Sequence, residues 1–139
     1  MFFATPPKVV FYEKTGCQGN KRQKELLSTY GVEFEVRSLL DTKWDKATLE
    51  TFFKGLSVTQ IINPFAPQLK DKTFKPQNYT KEEMIEKMLK EPLLIKRPLI
   101  EVGEEKLCGF DIEKLNKLLH VKMPVPPNIN ACLSSDKCE

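Results

Sequence analysis

The sequence predicts an α/β sandwich, and the order of elements at its two ends supports this fold class. Near the start, a β-branched and aromatic run at residues 8–12 precedes a helical pattern and a second strand. Two strands joined by a crossover helix form a parallel pair. Near the other end, strand patterns at residues 99–102 and 106–109 flank a glycine-containing turn, and a helix follows. The order β-α-β, then β-β-α, predicts a thioredoxin-like (glutaredoxin-like) sandwich.

Glycines mark the boundaries between the predicted elements of the N-terminal β-α-β unit. Residues 13–19 are predicted to form a loop around Cys17, and a helix is predicted at about residues 20–30. Gly31 ends this helix, because glycine accepts the left-handed conformation common just after a helix. Apolar and charged residues alternate at residues 34–36, which predicts a half-buried strand.

Between the two units, at about residues 45–91, we predict a helical insertion. Apolar positions within residues 48–54 favour a helix, and a second short helix, capped by serine, is predicted at residues 57–62. The proline-containing stretch 63–78 is predicted to be irregular. Thr-Lys-Glu-Glu at residues 80–83 is a capping box, which predicts the start of another helix.

The 139 residues match the common size of a single domain. The predicted domain spans residues 1–119 and closes with a helix that Asp111 caps. Residues 120–139 contain several prolines and serines and lack periodicity. We therefore expect a flexible C-terminal tail.

The charge balance argues against several classes of protein. The chain has 22 basic and 19 acidic residues, a net charge of +3, with both signs interspersed, so nucleic acid is not a predicted partner. No run approaches the ~20 apolar residues that cross a bilayer. The N-terminal stretch lacks the basic and apolar regions of a secretory signal. We therefore expect a cytoplasmic protein without membrane association.

Cys17 is the main candidate for chemistry. It follows a strand and begins a helix, where the first backbone N–H groups lack partners and the helix dipole is positive. Both effects favour the thiolate over the thiol, and Lys14, Lys21 and Arg22 are close in sequence. The alternative is a buried small apolar residue, but the polar, glycine-flanked surroundings argue against burial. We predict a reactive thiol.

The other three cysteines carry weaker signals. Cys108 lies in a predicted hairpin strand and is expected to pack in the core. Cys132 and Cys138, in the tail sequence CLSSDKC, could resolve an oxidised Cys17, pair with each other, or be incidental. With His120 they could bind a metal, but a fourth ligand is missing and the spacing is weak, so no metal site is predicted.

Arg97-Pro98 is the second candidate feature. A proline can begin a strand because the ladder loses no needed donor there. The planar guanidinium of Arg97 could bind an oxyanion or a thiolate. The residues alone favour the alternative, a surface arginine. They also favour a trans peptide, since only about 5–6% of X–Pro bonds are cis.

Three stretches together resemble a known family. They are FYEKTGCQGNKRQK around Cys17, NPFAP at residues 63–67 and PLLIKRPL at residues 92–99. They are similar to ArsC-type arsenate reductases and Spx regulators, and within that family to the nitrogenase-associated protein branch. The resemblance covers about residues 8–119.

The resemblance implies a thioredoxin-like fold with a helical insertion and one active-site cysteine, Cys17. In arsenate reductases of this type, the thiolate attacks arsenate, and glutathione and glutaredoxin then reduce the adduct. Arg97 matches an arginine that holds the oxyanion, and Pro98 matches a proline usually kept cis beside the cysteine. The residues expected to support the site are Gly16, Gln18, Gly19, Asn20 and Pro98.

Departures from the family pattern bear on the substrate. Similar reductases carry an arginine near the end of the insertion, where this chain has IINP at residues 61–64, and another where it has Gly109. An arsenate trianion needs forked, charge-assisted donors, and the candidate replacements Lys70 and Lys96 are not equivalent. Efficient arsenate reduction is therefore not expected. Cys17 also lacks the CxxC switch of Spx-type regulators.

The predicted function is thiol-dependent oxidoreductase chemistry through Cys17, assisted by Arg97. No bound cofactor is expected; glutathione is the expected co-substrate, or a glutaredoxin-type protein the reductant. The alternative is a non-catalytic module on the same fold, either an Spx-like regulator or a binder of a partner linked to nitrogen fixation. From the residues alone, enzyme and binding module both remain open.

Overall fold

The computed structural model describes residues 6–127 and 129, and its centre is a four-stranded mixed sheet. The strands are β1 (Val9–Glu13), β2 (Glu35–Ser38), β3 (Leu99–Val102) and β4 (Glu105–Cys108). Their order across the sheet is β2-β1-β3-β4, with β1 parallel to β2 and antiparallel to β3, and β3 antiparallel to β4. The predicted crossover and hairpin are therefore both present.

Helices pack on both faces of the sheet. They are α1 (Gln18–Thr29), α2 (Lys46–Phe53), α3 (Lys81–Lys90) and α4 (Ile112–Leu119), with 3-10 turns at Pro67–Lys70, Pro76–Asn78 and Pro92–Leu94. Asp45, Thr80 and Asp111 cap α2, α3 and α4 by accepting a first-turn backbone N–H, and the predicted capping box at Thr80 is confirmed. Within residues 6–127 and 129, no helix has the length and apolar character to cross a membrane.

The side chains of β1 alternate between two cores. Val10 and Tyr12 pack with α2 and α3, whereas Val9 and Phe11 pack with α1 and α4. All four are buried. Successive side chains of a strand point to opposite faces, so a strand covered on both faces has a continuous apolar run. This is why β1 was recognisable from its sequence.

β2 departs from the half-buried pattern predicted for residues 34–36. It begins at Glu35, and Val36 is 44% exposed. β2 lies at the edge of the sheet, where a strand has only one neighbour and less cover. Phe34, just before the strand, does reach the core and packs against Phe11 with ring centroids 6.1 Å apart.

The short helix predicted at residues 57–62 is wrong. Ser57 and Gln60 close a turn, in which the Gln60 N–H donates to the Ser57 carbonyl at 3.0 Å. Ile62 then forms an antiparallel bridge with Ile95. This pairing buries Ile62 and satisfies backbone groups that one helical turn would leave open, and short isolated helices are marginal.

The C-terminal segment packs against α1 and α4 as far as the structure describes it. Met123 and Ile129 are 4% and 5% exposed and lie in the core that contains Leu27 of α1. The expectation of a flexible tail concerned residues 120–139, of which 128 and 130–139 lie outside the described residues. Up to Ile129, the described tail residues include two that are built into the core.

Candidate active site

Cys17 is the residue immediately before α1. Its backbone is extended, with φ −77° and ψ 116°, and its N–H donates to the Lys14 carbonyl at 3.0 Å. Gly16 has φ +86°, a conformation that glycine adopts without steric cost. No acidic side chain lies in the first turn of α1. The unpaired amides and positive dipole end of the helix therefore act on Cys17 without a competing carboxylate in that turn.

Cys17 is 6% exposed, so the expectation that its surroundings keep it unburied was wrong. Two polar neighbours, Lys14 and Asn20, are themselves buried, and a hydrogen bond joins them. The Lys14 N–H donates to Asn20 Oδ1 at 3.0 Å, and both residues are buried. Cys17 nevertheless lines a cavity of about 430 Å³, through which a small molecule can reach it.

The cavity brings together several of the predicted site residues. Cys17, Gly19, Asn20 and Arg97 all line it, although Arg97 is far from the others in sequence. Gln18 is exposed and lies outside the lining. The structure therefore brings the helix-start cysteine and the distant arginine to one cavity.

Pro98 and Gly16 are outside the lining and shape the backbone around it. The Arg97–Pro98 peptide is cis, as the resemblance implied. The Pro98 carbonyl accepts the N–H of Gly109 at 2.8 Å. This bond holds the segment that carries Arg97, just before β3, beside the end of β4.

Lysines form much of the cavity wall, and most of them were not candidate site residues from the sequence. Arg97 is joined there by four lysines that follow α2, precede β3 or lie in β4 and α4: Lys54, Lys96, Lys106 and Lys114. Asp111 is the one acidic residue among the described residues of the lining. The cavity therefore carries a positive potential that attracts anions. No local sequence signal marks this set, because each lysine resembles an ordinary surface lysine.

Gly109 provides the space that Lys96 occupies. A Cβ built at Gly109 would lie 3.0 Å from Lys96 Cε and 3.5 Å from Lys96 Nζ, and Gly109 has φ +87°. A larger residue here would displace the lysine or strain the backbone. Of the two candidate replacements for the absent arginines, Lys96 lines the cavity and Lys70 does not.

Asn63, in the NPFAP stretch, fixes another part of the wall. Its Oδ1 accepts the Phe65 N–H at 3.0 Å, and its own N–H donates to the Leu94 carbonyl at 2.8 Å. The turn is thereby attached to the segment that leads to Arg97. Phe65, 43% exposed, lines the cavity as a partly open aromatic surface.

Cys108 lines the same cavity but has a different environment. Burial raises the pKa of its thiol to about 12, although the ammonium groups of Lys96 and Lys81 act in the opposite direction. The thiol therefore stays protonated at neutral pH. Its contact with the core around α2 and α3 agrees with the packing role predicted for it.

The raised pKa of Cys108 predicts a loss of stability at alkaline pH. As the pH rises, Cys108 loses its proton in the unfolded chain, with an ordinary pKa of 9.0, before it does so in the folded protein. The free energy of unfolding should therefore fall as the pH rises above 9.0, and it should keep falling until the pH approaches the folded-state pKa of about 12. Between about pH 8 and about pH 10.5, we expect Cys108 to account for about 1–2 kcal/mol of this fall. Urea unfolding of wild type and Cys108→Val checks this, and equal pH slopes in the two proteins would contradict it.

The remaining candidates from the sequence are the two tail cysteines and a metal site. Cys132 and Cys138 lie outside the described residues. Within residues 6–127 and 129, no group of three or more histidine, cysteine, aspartate or glutamate side chains could hold a metal ion.

Comparisons with known proteins give the family. The ArsC family profile matches residues 12–118. An uncharacterized 15.7 kDa protein in the draG 3′ region of Rhodospirillum rubrum is 38% identical over 126 residues, or 91% of this chain and 88% of that protein. The uncharacterized protein YfgD of Escherichia coli (strain K12) is 28% identical over 115 residues, or 81% of this chain and 97% of that protein.

A solved structure shows the same fold. The ArsC family related protein from Bacteroides fragilis superposes with a TM-score of 0.66 at 25% identity, covering 80% of this chain and 98% of that one. The residues that match the family profile include strands β2 to β4, helices α1 to α3 and every residue that lines the cavity with Cys17 and Arg97. With a thioredoxin-like fold and a family match over most of its length, the chain belongs to the ArsC family.

Proposed function

We propose that the protein is a thiol-dependent oxidoreductase that acts through Cys17. One observation carries the proposal: Cys17 stands at the N-terminus of α1 and opens into a cavity whose charged residues are almost all basic. Reactive cysteines occur in such electropositive environments, where the thiolate is favoured. Cys108 shares the cavity but is kept protonated by burial, so Cys17 is the nucleophile.

The cavity favours an anionic substrate larger than a simple oxyanion. Its volume of about 430 Å³ exceeds what one tetrahedral ion fills, and its cations are spread over several elements. Glutathione carries two carboxylates and one ammonium group, which match the lysines and Asp111 respectively. Lys106 already pairs with Glu101 at 3.3 Å, whereas Lys54, Lys96 and Lys114 have no ion-pair partner among the residues described.

We infer a glutathione mixed disulfide as the substrate. The Cys17 thiolate attacks the glutathionyl sulfur, forms a disulfide with glutathione and releases the target thiolate, which takes up a proton. A second glutathione then attacks this intermediate, restores the Cys17 thiolate and leaves as oxidised glutathione. Glutathione is thus the two-electron reductant, and the proposal places the protein in the cytoplasm, where glutathione keeps thiols reduced.

Two further roles remain proposals. Cys132 or Cys138 could attack the Cys17–glutathione disulfide in place of the second glutathione, which would release reduced glutathione and leave an intramolecular disulfide for a glutaredoxin-type protein to reduce. Arsenate could enter the same cavity, but of the two candidate replacements for the absent family arginines only Lys96 lines it, and a lysine lacks the forked geometry.

A non-catalytic binding module is the second candidate function. The observation in its favour is Phe65, an exposed aromatic residue lining the cavity, since aromatic residues are common anchors at protein interfaces. A partner linked to nitrogen fixation or a transcription complex would then be held at this face. Full function of Cys17→Ser in cells would favour this candidate over turnover.

The pH dependence of alkylation tests the catalytic proposal. We would measure iodoacetamide modification separately for each cysteine by mass spectrometry. Cys17 should reach its half-maximal rate below the ~8.5 of a free cysteine, and Arg97→Ala should move this midpoint upward. Cys108 in the same protein is the internal control and should react slowly. A Cys17 midpoint of about 8.5 in both proteins would overturn the proposal.

A further inference from the structure

The C-terminal segment is attached to the helix that carries the active-site cysteine. The chain turns at His120, which has φ +55°, and the Asn116 side chain then holds Met123 through both backbone groups, at 2.9 and 3.0 Å. The segment continues to Ile129, which is buried with Met123. The family match ends at residue 118, so Met123 and Ile129 lie outside it.

A chain of buried hydrogen bonds leads from this segment to the cysteine loop. Gln23 Nε2 donates to the Ile129 carbonyl at 2.8 Å, and Gln23 Oε1 accepts from Asn20 Nδ2 at 3.0 Å. Asn20 Oδ1 accepts the Lys14 N–H at 3.0 Å, and the Lys14 carbonyl accepts the Cys17 N–H at 3.0 Å. This series of hydrogen bonds therefore connects Ile129 to the turn that positions Cys17.

The two side-chain amides in this connection, those of Asn20 and Gln23, are buried and therefore depend on their hydrogen-bond partners. Asn20 is 2% exposed and Gln23 is 3% exposed, and both line the cavity with Cys17. A buried amide that loses a hydrogen-bond partner costs free energy of folding. Each amide therefore strongly favours the side-chain geometry that keeps its hydrogen bond to the next residue in the series. If the Ile129 carbonyl moves away, Gln23 Nε2 loses this acceptor, the Gln23 side chain can shift relative to Asn20 Nδ2, and the turn loses support.

We propose that Asn20 and Gln23 are positioning residues that couple the docking of residues 121–127 and 129 to the geometry of the Cys17 turn. The C-terminal segment is thereby part of the active-site architecture. The coupling is structural, and only its effect on Cys17 chemistry rests on the proposed function.

Amide hydrogen exchange tests the coupling without assuming any reactivity of Cys17. In the full-length protein, Gln23→Met keeps a side chain of similar length but removes both hydrogen bonds. We expect faster exchange at residues 14–17, whereas Glu25→Met, on the exposed side of the same helix, should leave these amides unchanged. Unchanged exchange at residues 14–17 in Gln23→Met would overturn the proposal.

A double-mutant cycle separates coupling from general destabilisation. Asn116→Ala removes the clamp on Met123 without touching α1, and should speed exchange at residues 14–17 in the wild-type background. In the Gln23→Met background it should add nothing, because the connection is already cut. Additive effects of the two changes would overturn the coupling, whether or not either variant lowers overall stability.

Cys17 alkylation provides the functional readout. In Gln23→Met the half-maximal pH of Cys17 alkylation should rise, because the thiolate loses part of its interaction with the helix terminus. Glu25→Met should show the wild-type midpoint. If wild-type Cys17 has an ordinary midpoint but the exchange effects are present, the proposed function fails and the coupling stands. An unchanged midpoint in Gln23→Met despite an activated wild-type thiol would overturn the positioning role.

Discussion

Cys17→Ser should lower the rate of deglutathionylation at least about 1000-fold, the scale of loss when a covalent nucleophile is removed. Serine keeps nearly the same shape but has a hydroxyl that stays protonated at neutral pH, so no thiolate is available to attack the disulfide. The measurement is the release of glutathione from a glutathionylated peptide, with reduced glutathione present.

Cys108→Ser is the matched control for this experiment. Cys108 lines the same cavity, but its thiol is held protonated by burial. The control should therefore retain turnover within a few-fold of wild type, apart from a modest loss of stability. Turnover that survives Cys17→Ser and disappears in Cys108→Ser would reverse the assignment of the nucleophile.

Arg97→Ala should raise KM for the glutathionylated peptide by about 10–100-fold, which corresponds to the loss of a charge-assisted hydrogen bond in a partly enclosed site. Arg97 contributes a planar, permanently charged donor to a cavity whose other cations are lysines. The effect should shrink for a small uncharged disulfide, because that substrate offers no carboxylate.

Arg37→Ala controls for the loss of one positive charge. Arg37 lies in the exposed edge strand β2, pairs with Glu35 and is not in the cavity lining. It should leave KM for both substrates unchanged. Equal increases for charged and uncharged disulfides in Arg97→Ala would show that Arg97 supports the fold of the site without recognising substrate charge.

The lining of the cavity agrees with the separated charges of the substrate class that we propose. Gly109 leaves room for Lys96, and the NPFAP turn, attached through Asn63, places Phe65 along the wall. Point charges on flexible stems suit separated carboxylates better than one compact trianion, for which forked donors are preferred. These features support a substrate with separated charges.

Much of the site could be predicted because its signals are local. The position of Cys17 after a strand and before a helix is visible in a few neighbouring residues, as are the glycine before it and the capping box at Thr80. Cys17's burial could not be foreseen, because Lys14 and Asn20 near it are buried and joined by a hydrogen bond. Such internal pairing depends on three-dimensional contacts that composition does not report.

By itself, the sequence determined the elements and their order, since strand runs, caps and helix faces are set by residues within one or two turns of each other. Only the tertiary structure decided which lysines share a cavity with Cys17, that Ile62 pairs with Ile95 while residues 57–62 form no helix, and that Gln23 binds Ile129. Gln23 and Ile129 are 106 positions apart. Contacts at such separation are selected by packing and by the need to pair buried polar groups, which act only once the chain has folded.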